Sequence, residues 1–255
     1  MNKYSYFIFV VIILIITSFV IKYYFYNYES FDSFDDFYNQ FIILGGNKYK
    51  ELPELKLAFK HIEKTDQVLE IGANIGRSSV VINSLLLDKT KHVAVETIAS
   101  TTKVLQKNKE ANNSKFVIFN GAISDKPLIQ KHWRSKIYDD TIPIAPGWVK
   151  IESLSLPKFL EKFNSIKFNT IFADCEGALV DILNTNKFFL SQINKIILEH
   201  DFDSKEDIEI FYNLMKEYKF LMIDHVNKEP LGLKNWSDGV HSDPIFVSVW
   251  KKKTV

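Results

Sequence analysis

From about residue 66 onward, short apolar runs alternate with amphipathic stretches. Runs at 68–71, 92–96, 115–120, 168–174 and 194–199 are too short for helices and lack in/out alternation, the pattern of strands covered on both faces. Most are separated by segments of helical character. Arg77 to Leu87 is one, and Ile208, Phe211, Tyr212, Met215 and Tyr218 form a single apolar stripe in another, opened by the capping signature Ser204-Lys-Glu-Asp207. Strand–helix succession of this kind implies a parallel sheet with right-handed crossovers. Two final runs, 220–226 and 245–250, flank a Gly/Asn/Asp-rich loop and predict a hairpin at the sheet edge. Residues 126–150, rich in Pro, Trp and Tyr, carry no helical period and read as an insertion near the strand tips, where recognition loops belong.

The first 66 residues have a different pattern. Tyr6 to Ile21 is uncharged and flanked by Lys3 and Lys22. As a helix it spans roughly 24 Å, and the aromatic residues Tyr23 to Tyr26 extend it towards the ~30 Å hydrocarbon thickness. The stretch is long for a signal peptide and no small-x-small cleavage site follows, so an uncleaved anchor over 1–26 is expected. Acidic residues beyond it (Glu29, Asp32, Asp35, Asp36) favour a cytosolic tail and a lumenal or extracytoplasmic body. A stalk and lead-in covers 27–54, with helical spacing of Phe31, Phe34, Phe37, Tyr38 and Phe41 up to Gly45-Gly46. A second helix has Pro53 in its first turn. The main domain is expected over 55–255.

Composition narrows the chemistry. With 255 residues and 46% apolar content, the chain can bury one substantial core. A net charge of +1 gives no electrostatic case for nucleic acid. The lone Cys175 excludes an internal disulfide and a multi-cysteine metal site.

The candidate chemistry begins at Val68-Leu-Glu-Ile-Gly-Ala-Asn-Ile-Gly76, a strand entering a glycine turn ahead of a helix. This is the nucleotide-binding corner of open α/β sheets, where a helix N-terminus offers free N–H groups. A dinucleotide fingerprint would read Gly-x-Gly-x-x-Gly; here the pattern is Glu70-x-Gly72-x-Asn74-x-Gly76. An acidic residue at the strand end opposes pyrophosphate and suits a ligand with an ammonium and a sulfonium, S-adenosylmethionine. Glu96, ending the next strand about 20 residues beyond the turn, is placed to accept from both ribose hydroxyls.

Glu70 to Gly76, Val95-Glu96, Asn120-Gly-Ala-Ile-Ser-Asp125, Asp174-Cys-Glu-Gly177 and Leu198-Glu-His200 follow the order found in FkbM-like methyltransferases, which the chain resembles over roughly residues 55–250. The resemblance implies a Rossmann-like seven-stranded sheet with one reversed strand, and methyl transfer to a hydroxyl, often on a sugar or polyketide. Ala178-Leu-Val180 departs from it, since a second acidic residue is common there. Glu70 and the backbone around Gly72 would hold the methionine end of the cofactor, with Asn74 bracing the turn that closes at Gly76, and Glu96 would grip its ribose. Asn120, Gly121 and Ala122 would meet adenine, with Asp125 assisting or capping the turn, and Asp174 would lie at the crevice.

A hydroxyl acceptor needs a base to take its proton. His200, Glu176 and Glu199 are the candidates, His200 having the most suitable ordinary pKa, ~6.5. The carboxylates Asp174, Glu176, Glu199 and Asp201 could instead collect a divalent cation, though no metal is assigned. The expectation is a membrane-anchored methyltransferase acting on a glycan or similar polyol. A non-catalytic anchored binding module, N- or protein methylation, and a nucleotide-dependent oxidoreductase stay open as alternatives.

Overall fold

A computed structural model describes residues 33–231 and 243–253. The expected anchor over 1–26 and the start of the stalk lie outside the described residues. Among those described, no helix is long and apolar enough to cross a membrane.

The chain divides into two units, Met1–Gln40 and Phe41–Val255. The first contains helix α1 (Phe34–Asn39), whose N-cap Ser33 accepts a hydrogen bond from the Asp36 amide. It ends at Asn39, before the Gly45-Gly46 stop expected from sequence. The second unit includes the lead-in that sequence patterning assigned to a stalk. Two asparagines clip this segment down: Asn112 Oδ1 accepts from the Ile42 amide at 2.9 Å, and Asn108 Oδ1 accepts from the Leu44 amide at 2.7 Å.

The second unit is an α/β body around one seven-stranded sheet. In chain order its elements are α2 (Leu52–His61), β1 (Val68–Ile71), α3 (Arg77–Leu85), β2 (His92–Glu96), α4 (Ala99–Ala111), β3 (Val117–Asn120) and β4 (Ala122–Ile123). Then come β5 (Leu128–Lys131), β6 (Arg134–Ile137), β7 (Val149–Ile151), β8 (Ser153–Leu154), α5 (Leu156–Lys162) and β9 (Thr170–Ala173). The last are α6 (Ala178–Thr185), α7 (Lys187–Gln192), β10 (Lys195–Glu199), α8 (Lys205–Glu217), β11 (Phe220–Asn227) and β12 (Ile245–Lys252). The strand order is β11-β12-β10-β9-β1-β2-β3. Strands β10, β9, β1, β2 and β3 run parallel, while β12 is antiparallel to both its neighbours. The arrangement is Rossmann-like and mixed. The reversed strand lies one place in from the edge: the chain runs out to β11 and returns between β11 and β10.

The sheet's two faces differ in chemistry. Leu69, Ile71, Val93, Val95, Ile171 and Leu198 point into an apolar core closed by α5, α6, α7 and α8. The opposite face carries buried polar side chains among its apolar ones. Lys195 donates to Asp66 at 2.7 Å, and Asn83 donates to the Lys89 carbonyl while accepting from the Lys115 amide. Such groups can be buried because each is paired. The insertion is a small antiparallel sheet, β6-β5-β7, with Trp133 and Val149 exposed. A short parallel pair, β4 with β8, joins it to the main body.

Candidate functional site

Strands β2 and β3 lie to one side of β1, and β9 and β10 to the other. The chain therefore switches direction between β1 and β9, and the crevice beyond their carboxyl ends is where open α/β sheets take ligands. Gly72 sits at this point with φ +88°; a Cβ there would come within 1.6 Å of the Asp174 carbonyl oxygen. The glycine is thus required by the neighbouring strand's backbone rather than by a ligand alone. Gly76 (φ +93°) precedes α3, and its missing side chain lets Leu105 of α4 pack close, 2.5 Å from where a Cβ would be.

Between these glycines the turn is tied to β2. Asn74 is left-handed (φ 48°), a conformation asparagine tolerates. Its amide donates to Glu96 Oε2 at 2.8 Å, and its own Oδ1 accepts from the Ile75 amide. Glu96 Oε1 accepts from the Ile98 amide at 2.7 Å. One carboxylate therefore braces both loops that border the crevice, and each oxygen keeps a second lone pair for another donor. Burial raises its pKa against the lowering effect of those amides.

Other expected cofactor-side residues need correction. Glu70 is fully buried, accepting from Ser78 Oγ at 2.6 Å and meeting His92 Nε2 at 3.0 Å. It alternates onto the face covered by α3, so it steadies that helix's first turn and presents no exposed oxygen to a ligand. The Gly121 and Ala122 amides are also engaged, donating to the carbonyls of Glu96 and Glu152. Exposed Asn120 pins the loop through its Nδ2, which donates to the Glu96 carbonyl at 2.8 Å. Asp125 is exposed, and the adjacent turn is closed by Ser124 Oγ accepting from the Lys126 amide.

Among the expected catalytic residues, His200 is the clearest correction. It is 2% exposed, with Nδ1 2.8 Å from Asp243 Oδ2 and Nε2 2.6 Å from Ser248 Oγ. Phe202, Phe211 and Tyr212 close around the ring. Both nitrogens are occupied inside the core, so this imidazole is a packed strand-end residue with no path to an acceptor. Glu176 has an exposed side chain on the turn after β9 and a left-handed backbone (φ 51°). Non-glycine residues held there are costly and concentrate at functional turns. Burial, then Asp174 and Asp203, push its pKa up. Cys175 packs against the core cluster, and burial raises its thiol well above the ordinary range.

Glu199 and Asp174 hydrogen-bond to each other. They join an acidic group that sequence patterning did not assemble, because two members come from the lead-in helix. Glu54, in the first turn of α2, is buried beside them, and Glu51 stands at the helix's N-cap. Arg77 Nη1 donates to Glu51 at 2.9 Å, and Lys50 pairs with the same carboxylate. Burial foremost, then the surrounding carboxylates, raise Glu54 and Glu199 well above the usual range, and Asp201 to about 8. One signal was available in the sequence: Glu54 shares a helical face with Leu57 and Ala58, an acidic residue on an apolar stripe.

No protein-family model matches the chain, and no curated protein matches it. Solved structures do match. The chain is similar to precorrin-6y C5,15-methyltransferase of Geobacter metallireducens GS-15, with 10% identity and a TM-score of 0.49 over 85% of this chain and 95% of that one. It is similar to ribosomal protein L11 methylase of Lactobacillus delbrueckii subsp. bulgaricus, with 10% identity and a TM-score of 0.48, covering 83% and 82%. It is also similar to an O-methyltransferase of Bacillus cereus in complex with SAH, with 14% identity and a TM-score of 0.44, covering 78% and 77%. At such identities a functional reading has to come from this chain's own side chains.

Proposed function

We propose that this protein is a methyltransferase using S-adenosylmethionine, of the FkbM-like kind, acting on a hydroxyl of a glycan or similar polyol. The observation that carries this reading is Glu96. A carboxylate ends β2, braces the Asn74 turn and the Ile98 loop, and retains lone pairs for a vicinal diol, beside the switch point where such folds bind nucleosides. A dinucleotide's pyrophosphate is disfavoured by the acidic group at the same crevice. The residues present fit the cofactor as follows. Glu96 takes the ribose, the 72–76 turn takes the methionine end with Glu70 steadying α3 behind it, and the loop pinned by Asn120 borders the adenine side. The bound cofactor supplies an electrophilic methyl group.

The protein's own contribution is then proximity, orientation and removal of one proton from the acceptor. With His200 sealed in the core and Glu199 bonded to Asp174, Glu176 is the carboxylate positioned to take that proton. The uncharged stretch at 6–21 supports tethering to a membrane, with the catalytic body on its far side from the short tail.

Methyl-labelled cofactor incubated with a panel of sugars and glycans tests the reading. Label should enter a hydroxyl-bearing acceptor. Glu176→Gln should cut turnover while cofactor affinity holds, whereas His200→Gln should lower stability and leave the folded fraction's turnover intact. Cofactor binding without transfer to any acceptor would favour the non-catalytic module; label on nitrogen would move the acceptor class.

A further inference from the structure

Three carboxylates converge in the crevice from three elements: Glu54 from α2, Asp174 just past β9, and Glu199 from the end of β10. One oxygen from each lies within 4.8 Å of the other two. Convergence alone would mean little, since acidic groups gather at many surfaces. The second observation is Glu54 itself, which is 3% exposed with an Oε1 that has no hydrogen-bond partner. Asp201 adds another buried oxygen, Oδ2, without a partner. The neighbouring cations, Lys50 and Arg77, are both bonded to Glu51 and donate to none of these oxygens. A buried carboxylate facing two others, with no donor from the protein, is an expensive arrangement unless a charge from solution completes it.

We propose that Glu54, Asp174 and Glu199 form a site for one divalent cation of the hard, oxygen-seeking class, Mg²⁺, Mn²⁺ or Ca²⁺. The donors are all carboxylate oxygens, which selects this class over the nitrogen- and sulfur-seeking metals. The spread of 4.8 Å equals about twice a metal–oxygen distance of ~2.4 Å, so the three can surround one ion without rearranging the strands. Three protein ligands leave coordination positions for water or for oxygens of a bound molecule. Asp201 stands behind them, outside the ligand set, with its Oδ2 buried and unpartnered. The site does not depend on the methyl-transfer reading: these carboxylates would hold a cation whatever reaction the crevice performs.

The test uses the full-length chain in mild detergent, stripped with EDTA and titrated with MnCl₂, free Mn²⁺ being followed by electron paramagnetic resonance without cofactor. One equivalent should bind saturably and be displaced by MgCl₂ or CaCl₂. Glu54→Gln and Glu199→Gln should each weaken binding at least about tenfold, the scale of losses at metal sites. Asp88→Asn, at an exposed loop away from the crevice, should leave it unchanged. Added Mn²⁺ should raise the melting temperature of wild type and not of Glu54→Gln. Absence of saturable binding, or binding by both crevice variants with wild-type affinity, overturns the proposal. Should Glu54→Gln fail to fold, Glu199→Gln decides alone.

Discussion

Replacing Gly72 by alanine puts a methyl group where the backbone of the next strand already lies. The added Cβ would stand 1.6 Å from the Asp174 carbonyl oxygen, while real Cβ contacts stay beyond 3.0 Å, so β1 and β9 must separate by at least 1.4 Å (3.0 minus 1.6). That movement breaks the bond from the Asp174 amide to the Ile71 carbonyl, now 3.1 Å. Its loss costs about 1 kcal/mol, and alanine at positive φ costs about 1–2 kcal/mol more. With displaced packing the total is about 3–5 kcal/mol, at the upper end for a single substitution. Gly76→Ala is the matched control. There the clash is with Leu105 Cδ1, a side-chain tip that can turn aside, so about 1–2 kcal/mol is expected. Urea denaturation of the two variants, read as midpoint shifts at constant slope, separates these cases. Equal losses, or a Gly72→Ala loss below about 1 kcal/mol, would mean that strand-to-strand contact does not fix this glycine.

Two further outcomes follow from the geometry. Glu176→Gly relieves a left-handed non-glycine residue, so stability should hold or rise by about 1 kcal/mol while turnover falls; a marked loss of stability would mean the side chain is structural. Burial alone would lift Asp224, but hydrogen bonds from Lys60 and His61 outweigh it and hold it down to about 2. Its contribution is present above the unfolded value near 3.8 and fades as pH falls through the folded one. Discounted for exposed Lys60, it is worth about 1 kcal/mol. Asp224→Asn should therefore destabilise at pH near 6, with the difference from wild type shrinking towards pH near 2; a pH-independent difference would contradict the assignment.

The main sheet was legible because β1, β9 and β10 are covered on both faces and read as short, mainly apolar runs; observed strand ends lie within a few residues of the expected ones. Strands β5 and β6 were not, since Leu-Ile-Gln-Lys and Arg-Ser-Lys-Ile are short and largely polar, and β6 is exposed along its length. Glu70 was misplaced by treating an acidic residue near a strand end as solvent-facing. Strand parity puts it with Val68 on the covered face, diagonal to His92 in the β1–β2 register. His200 looked catalytic because its partners, Asp243 and Ser248, arrive from more than 40 residues away. Glu54 escaped for the same reason: what makes it distinctive is the company of Asp174 and Glu199, which no local pattern reveals.

Whether Glu96 grips a nucleoside diol can be read from calorimetric titration with S-adenosylhomocysteine. Glutamine at 96 keeps one acceptor oxygen for two loop amides and a diol, a loss of about 1.5–3 kcal/mol, which is about ten- to a hundredfold in affinity. Wild type should bind one equivalent saturably, and Glu96→Gln should bind more weakly by that factor with the fold retained. No saturable binding by wild type, or an unchanged affinity in the variant, would contradict that grip.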